Sequence, residues 1–140
     1  ENEEDTDFFH SSLKGACDKH NINYYEDFKK NCDEYFYLPH RNEPRGVGGI
    51  FFDHLNTGDW DKDFNFVKEV GGQTLEIINQ VVKNKKDLDW TDKDKDKQLV
   101  KRGRYVEFNL IWDRGTLFGL KTGGSTEAIL MSMPPEAKWE

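Results

Sequence analysis

The chain has few cysteines, prolines and methionines, and it contains no long apolar run. Its 140 residues include two cysteines, four prolines and two methionines. Cys17 and Cys32 are separated by fourteen residues and lie outside any CxxC pair. The lack of a CxxC pair argues against a zinc or redox site, and a disulfide would need an oxidising compartment, of which the sequence gives no sign. We therefore expect two reduced, buried thiols. No segment approaches the roughly 20 apolar residues of a transmembrane helix, so we expect no direct insertion into a membrane.

Basic residues are fewer than acidic ones. Twenty basic and 27 acidic side chains give a formal net charge of −7, and only five of the basic residues are arginines. A protein that binds nucleic acid normally presents a basic face to the phosphates, so this composition argues against such a partner. The length and the 14% aromatic content are typical of one domain, which we expect to span residues 1–140.

The spacing of apolar residues predicts an α+β fold with an antiparallel sheet. Four segments show helical periodicity, and three others alternate or form a short apolar run. The predicted helices are residues 5–20, 24–36, 60–86 and 127–133, the third interrupted at Gly71-Gly72. The predicted strands are residues 50–52, 104–112 and 116–121, the last two joined as a hairpin. Residues 87–97 alternate in charge, which predicts a flexible loop.

Histidines and arginines carry most of the candidate chemistry, because the common catalytic motifs (P-loop, GxSxG, HExxH) are absent. A helical hairpin could bring His10 close to His40, where two imidazoles bind a divalent ion or transfer protons. The alternative is that each histidine makes ordinary structural hydrogen bonds. The arginines lie in glycine-rich segments or beside residues 104–112. They predict either the binding of a polycarboxylate ligand or ion pairs with neighbours such as Glu43 and Glu107.

A glycine-rich loop, Thr122–Ser125, comes directly before the last predicted helix. Consecutive backbone N–H groups at the start of a helix favour an anion such as a carboxylate. The alternative is an ordinary connecting loop without a ligand.

Three stretches of the chain resemble oxygen-dependent coproporphyrinogen III oxidase. They are HRNEPRGVGGIFFD at residues 40–53, KRGRYVEFNLIWDRGTLFGLKTGG with ILMSMPP at residues 101–135, and an opening with ACDKH and CDEYFYL at residues 3–38. Together they cover nearly everything outside residues 87–97. The resemblance implies the C-terminal portion of a fold in which helices flank a flat antiparallel sheet, assembled as a homodimer.

The resemblance also implies a reaction of haem biosynthesis. Members of this family remove two propionate carboxyls of coproporphyrinogen III as carbon dioxide and leave vinyl groups, with molecular oxygen as oxidant and no organic cofactor. By the same resemblance, Gly123, Gly124 and Ser125 match the substrate-binding loop, and His10 and His40 match histidines described as divalent-metal ligands. The stretch associated with dimerisation includes Tyr105, Glu107, Asn109, Trp112 and Met131.

Three departures from the family pattern bear on activity. Ser125 stands where the family loop carries arginine, which removes a charge-assisted contact of about 1.5–3 kcal/mol. His54 replaces the second aspartate of an Asp-Asp pair. The family's proton-donor histidine, pyrrole-binding arginine and glycine-rich aspartate motif match positions before residue 1, so we expect no catalytic residue in this chain.

Three interpretations follow from these departures. The chain is a fragment of a full enzyme, one half of a split enzyme, or an inactive homologue that serves as a structural, dimerising subunit of a larger assembly. The sequence leaves the cytoplasm and the mitochondrion open as its compartment.

Overall fold

The computed structural model describes residues 2–140, which divide into two compact units. The first unit comprises the described residues up to Tyr35 together with Val47–Leu88. The second comprises Phe36–Gly46 and Asp89–Glu140. Each unit is therefore built from two separate pieces of the chain, and the expectation of a single domain remains a prediction.

The first unit contains the helices α1 (Glu3–Asp18), α2 (Tyr24–Tyr35) and α3 (Trp60–Lys85). The first two lie where hydrophobic spacing predicts them. The side chain of Asn2 accepts a hydrogen bond from the Asp5 N–H at 3.2 Å, which caps α1 at its acidic first turn. The core consists of side chains from all three helices, namely Leu13, Cys17, Tyr25, Phe66 and Ile77.

Helix α3 continues through Gly71 and Gly72, so the predicted interruption is wrong. Two interior glycines cost about 1 kcal/mol each in helix propensity, but the helix is held at both ends. The side chain of Asp59 caps it by accepting from the Lys62 N–H at 3.1 Å, and lysines in the last turn complement the helix dipole.

Residues 50–52 lie outside any strand, so the strand predicted there is wrong. The Phe51 N–H donates to the Phe28 carbonyl at 3.0 Å, and the Phe52 ring packs 4.8 Å from the Phe28 ring. Gly48 and Gly49, with φ of +82° and +151°, turn the backbone just before the segment. The aromatic side chains are therefore half-buried by packing against a helix, and not by pairing with a neighbouring strand.

The second unit begins with two short antiparallel strands, β1 (Tyr37–Leu38) and β2 (Glu43–Pro44), in which Leu38 lies opposite Glu43. Helix α4 (Asp92–Glu107) runs directly into a π-helix (Phe108–Trp112). Helices α5 (Arg114–Lys121) and α6 (Thr126–Ile129) follow. Leu38 and Phe108 are fully buried at the centre of this unit.

The strand predicted at residues 104–112 is wrong, because this segment is the end of α4 and the π-helix. A capping box starts the helix: the Asp94 N–H donates to Thr91 Oγ1, and the Thr91 N–H donates to the Asp94 carboxylate. Glu107 and Phe108, three and four residues after Arg104, are buried with it. Tertiary packing of this helical face overrides the period-2 alternation of the sequence.

The predicted partner strand, residues 116–121, is also wrong because it lies within α5. The Asp113 carboxylate caps this helix by accepting from the Thr116 N–H at 2.7 Å. Helix α4 begins at Asp92, so the loop predicted over residues 87–97 ends earlier than expected. Helix α6 ends at Ile129, four residues before its predicted end.

The α+β class is confirmed, with helices accompanied by a small antiparallel sheet. The C-terminal segment packs on α4: the Lys138 N–H donates to the Leu99 carbonyl at 3.1 Å, and a Cβ added at Gly103 would overlap the Lys138 carbonyl oxygen. Among residues 2–140, no helix combines the length and apolarity needed to cross a bilayer.

Candidate functional site

Charged side chains of the second unit converge on Glu107, the last residue of α4. The turn between β1 and β2, closed by the Arg41 N–H donating to the Leu38 carbonyl at 3.0 Å, presents His40 and Arg41 to this carboxylate. Arg41 Nε and Nη2 donate to Glu107 Oε2 and Oε1, both at 2.5 Å, and His40 Nε2 donates to Oε2 at 2.9 Å. The carboxylate is therefore held in a bidentate pair with a third donor.

These contacts fix the charge of Glu107. Its side chain is only 9% exposed. The pKa of the Glu107 carboxyl is lowered to about 2, mainly by the hydrogen bonds from Arg41. Burial of the carboxyl acts in the opposite direction, and the hydrogen bond from His40 lowers the pKa further. The same bond with Glu107 raises the pKa of the Arg41 guanidinium. Glu107 is therefore a carboxylate at neutral pH, where it can position cations but cannot donate a proton.

His40 has both ring nitrogens engaged. Trp112 Nε1, which can only donate, lies 3.1 Å from His40 Nδ1. The Trp112 ring is nearly parallel to the imidazole, with 6.0 Å between the ring centroids. Nδ1 must therefore be the unprotonated nitrogen, and the proton lies on Nε2, facing Glu107. The Trp112–Glu107 pair fixes one tautomer of the imidazole.

Arg45 is held by aromatic rings and an amide. Its guanidinium carbon lies 4.1 Å from the centroid of Phe36, 4.8 Å from Phe108 and 5.0 Å from Tyr105. Its Nη1 donates to Asn109 Oδ1 at 3.2 Å. These contacts attach the loop after β2 to the junction between α4 and the π-helix.

Arg104 is buried beside this junction, with 9% of its side chain exposed. Its Nε donates to the Glu43 carboxylate, and Nη2 lies 4.0 Å from Glu140 Oε2. Nη1 is buried, and no atom of residues 2–140 forms a hydrogen bond with it. Of the two interpretations of the arginines, the ion-pair interpretation therefore holds for Arg41 and Arg104.

The loop Thr122–Ser125 is exposed and ends α5. The Gly124 N–H donates to the Gly119 carbonyl at 3.0 Å, and the Gly123 N–H, with φ of +75°, donates to the Leu120 carbonyl at 3.4 Å. Ser125 Oγ accepts from the Ala128 N–H at 3.4 Å, which caps α6. The two glycine N–H groups thus donate to carbonyl groups in the last turn of α5. Binding of a carboxylate by these N–H groups remains a prediction.

His10 lies in the first unit and His40 in the second. His10 Nε2 is 2.8 Å from the Val47 carbonyl, so it carries the proton, and Nδ1 accepts from the Tyr25 hydroxyl at 3.0 Å. In these contacts neither histidine has a free nitrogen lone pair, and a divalent metal held by His10 and His40 remains a prediction. Within residues 2–140 no three His, Cys, Asp or Glu side chains are grouped closely enough to hold one.

The residues predicted for dimerisation occupy different environments. Glu107 and Asn109 are buried and bonded within the second unit, and Tyr105 is half-buried. Trp112 and Met131 are exposed, the latter at 84%. A role of these residues in a dimer remains a prediction.

Sequence reasoning identified the charged residues but missed two of their partners. The indole of Trp112 fixes His40, and the amide of Asn109 binds Arg45. Their signal was hidden because the period-2 interpretation assigned the two residues to opposite faces of a strand, whereas in the π-helix Trp112 contacts the β1–β2 turn and Asn109 contacts the loop after β2.

Comparison with known proteins gives one consistent result. A family model described as coproporphyrinogen III oxidase matches residues 1–140. An oxygen-dependent coproporphyrinogen-III oxidase of Rickettsia bellii (strain OSU 85-389) is 59% identical over 137 residues, which are 98% of this chain and 49% of the relative. The oxidase of Rickettsia akari (strain Hartford) is 57% identical over the same shares. The chain spans about half the length of the curated relatives it matches.

Proposed function

The chain belongs to the coproporphyrinogen III oxidase family, and from this premise we propose that it is the C-terminal part of an oxygen-dependent enzyme acting on coproporphyrinogen III. The enzyme would convert two propionate side chains to vinyl groups in porphyrin biosynthesis. Each conversion releases carbon dioxide and removes two hydrogens, which molecular oxygen accepts. The observation that carries the proposal is the 59% identity that extends over 98% of the chain to an oxidase of this name.

The cluster around Glu107 supports a positioning role in such an enzyme. Glu107 and Arg41 neutralise each other, which leaves the partly exposed, near-parallel pair of His40 and Trp112 at the edge of the cluster. A flat, aromatic surface of this kind suits contact with a pyrrole ring. The chain holds none of the family's proton-donor or pyrrole-binding motifs, so we expect the remainder of the enzyme to supply the catalytic acid.

A fusion protein tests this function directly. The half of the R. bellii oxidase that lies outside the 137 matched residues is joined to this chain in a single polypeptide, and product is measured as porphyrin fluorescence after chromatography. We expect oxygen-dependent formation of the divinyl product at a rate within about tenfold of the R. bellii enzyme. The chain alone should form none. A folded fusion with less than 1% of that rate would contradict the proposal.

The second candidate is a catalytically inactive homologue that serves as a structural or dimerising subunit of a larger assembly. Ser125 favours it, because this exposed residue caps α6 and supplies no charge to a substrate carboxylate. The fusion carrying Ser125→Arg distinguishes the candidates. For an enzyme, the new guanidinium should lower KM by about tenfold or more, as expected from a charge-assisted hydrogen bond. For an inactive subunit, no product should appear with either residue.

Oxygen as co-substrate and the absence of an organic cofactor belong to this proposal, as does assembly as a homodimer or with another chain. A divalent metal bound by His10 and His40 would require these imidazoles to give up hydrogen bonds that they make in the structure. Cytoplasm and mitochondrion both stay open as the compartment.

A further inference from the structure

Helix α3 carries a continuous apolar face that is exposed to solvent. The side chains of this outer face, each between 44% and 71% exposed, are Trp60, Phe64, Val67, Leu75, Ile78 and Val82. The opposite face of the same helix buries Phe66 and Ile77 in the core of the first unit. Soluble monomers rarely expose an apolar surface of this extent, and such surfaces mark sites of contact with another polypeptide.

The spacing shows that the outer face is a second packing surface. Its apolar residues follow one another at three or four positions, except that Gly71 stands midway in the eight-residue step from Val67 to Leu75. At about 100° per residue they lie roughly 100–180° around the helix from Phe66. The face extends over about 33 Å, at 1.5 Å per residue. A helix with one apolar face needs one neighbour, whereas α3 has two apolar faces and therefore needs two.

Gly71 lies at the centre of the outer face and gives independent support. A Cβ added at this position would meet no atom within 4 Å, so nothing in residues 2–140 requires glycine here. Its backbone angles are helical and any residue could adopt them. An interior glycine lowers helix stability. It is useful where another backbone or a flat surface approaches the helix closely, and such an approach would explain its place in the middle of an apolar face.

The relatives indicate what covers this face. Half of the R. bellii oxidase has no counterpart in this chain, and that half is about as long as the chain itself. The second unit has exposed apolar side chains of its own, among them Ile111, Phe118 and Met131. A polypeptide of this length can supply several packing surfaces.

We propose that the outer face of α3 packs against the half of a coproporphyrinogen oxidase that this chain does not match, with Gly71 at the point of closest approach. The inference rests on membership of the family and not on the proposed activity. It predicts that the same substitution has little effect in the chain alone and is disruptive when the other half is present.

The test compares the chain alone with the fusion to the unmatched half of the R. bellii oxidase. Leu75→Asp places a carboxylate on the outer face, and Asn79→Asp places one on the same helix, at an exposed position about 40° beyond the edge of that face. In the chain alone we expect Leu75→Asp to lower the urea midpoint by less than about 0.5 M, because aspartate is a weaker helix former than leucine, and Asn79→Asp to leave it unchanged. In the fusion we expect Leu75→Asp to lower the midpoint by about 1 M or more and Asn79→Asp to leave it unchanged.

Glycine variants give a matched second measurement. Gly71→Leu and Gly72→Leu both replace a helical glycine that has open space around it, but only Gly71 lies on the outer face. Both should raise the urea midpoint of the chain alone. In the fusion, Gly72→Leu should still raise it, whereas Gly71→Leu should lower it because the side chain prevents close approach.

Three results would overturn the proposal. Equal effects of Leu75→Asp in the chain and in the fusion would show that the outer face stays in solvent. A dimer of the chain alone, measured by light scattering and dissociated by Leu75→Asp, would assign the face to a second copy. Failure to obtain either a folded fusion or a heterodimer on co-expression of the two halves would exclude this occupant. An inactive fusion that responds to Leu75→Asp would contradict only the proposed function.

Discussion

Replacing Glu107 by glutamine tests the charged cluster of the second unit. Glutamine has nearly the same shape but no charge, and its NH₂ group would face one of the donors of Arg41 instead of accepting from it. The carboxyl pKa is lowered from 4.5 to about 2, which corresponds to about 3 kcal/mol of stability at pH 7. We expect Glu107→Gln to lower the free energy of unfolding by about this amount.

The pH dependence follows from the direction of the pKa change. Because the folded-state pKa lies below the unfolded-state value, the stabilisation is complete above about pH 5 and is lost as the pH falls from 4.5 towards 2. At pH 3 the linkage leaves about 1 kcal/mol. The difference between wild type and Glu107→Gln should therefore shrink from about 3 to about 1 kcal/mol between pH 7 and pH 3.

Urea unfolding at both pH values measures this difference. Glu136→Gln, a substitution of an exposed residue of the same unit, serves as the control and should change stability by less than about 0.5 kcal/mol. A Glu107→Gln effect that is equally large at pH 7 and pH 3 would refute the charge-based reasoning. It would assign the effect to packing alone.

Three further predictions concern other contacts. Trp112→Phe removes the donor to His40 Nδ1, so it should cost about 0.5–1 kcal/mol and release the imidazole tautomer, visible in the ¹⁵N shifts of the ring. Gly103→Ala should destabilise the chain by about 1–3 kcal/mol, because the added Cβ overlaps a backbone carbonyl of the C-terminal segment. Gly71→Ala, which has open space around it, should stabilise the chain by up to about 1 kcal/mol, and urea unfolding measures both changes. Burial raises the pKa of the Cys17 thiol to about 11, so thiol reagents at pH 8 should label it only as the chain unfolds. Rapid labelling of the folded chain would contradict this.

The helices of the first unit were predictable because local signals and packing agree there. Helices α1 and α2 have helical apolar spacing, and Asn2 and Asp59 cap α1 and α3 as their residue types favour. The predicted interruption of α3 failed because glycine weakens a helix without ending it. Its inner face is packed in the core on both sides of the glycines, through Phe66 and Ile77.

The end of α4 was not predictable from local pattern. Residues 104–112 alternate and are rich in β-branched and aromatic side chains, which favours a strand. The signals that decide the structure are non-local: Arg104 bonds Glu43, and Glu107 bonds Arg41, both more than 60 residues away in sequence. Patterns of apolar and polar residues are read over stretches of about 11–18 residues, which are too short to include both members of either pair.

The helical geometry of this segment explains why these particular charges are buried together. In a strand, Arg104 and Glu107 would point to opposite faces, because they differ by an odd number of positions. In the helix they lie three positions apart on one face, and Phe108 follows at the fourth position. The β1–β2 region can therefore satisfy both charges at once, Glu43 with Arg104 and Arg41 with Glu107. In a strand, either Arg104 or Glu107 would be buried without its partner, which costs free energy. Burial of the alternating apolar residues would have to contribute more than this cost for the strand to form.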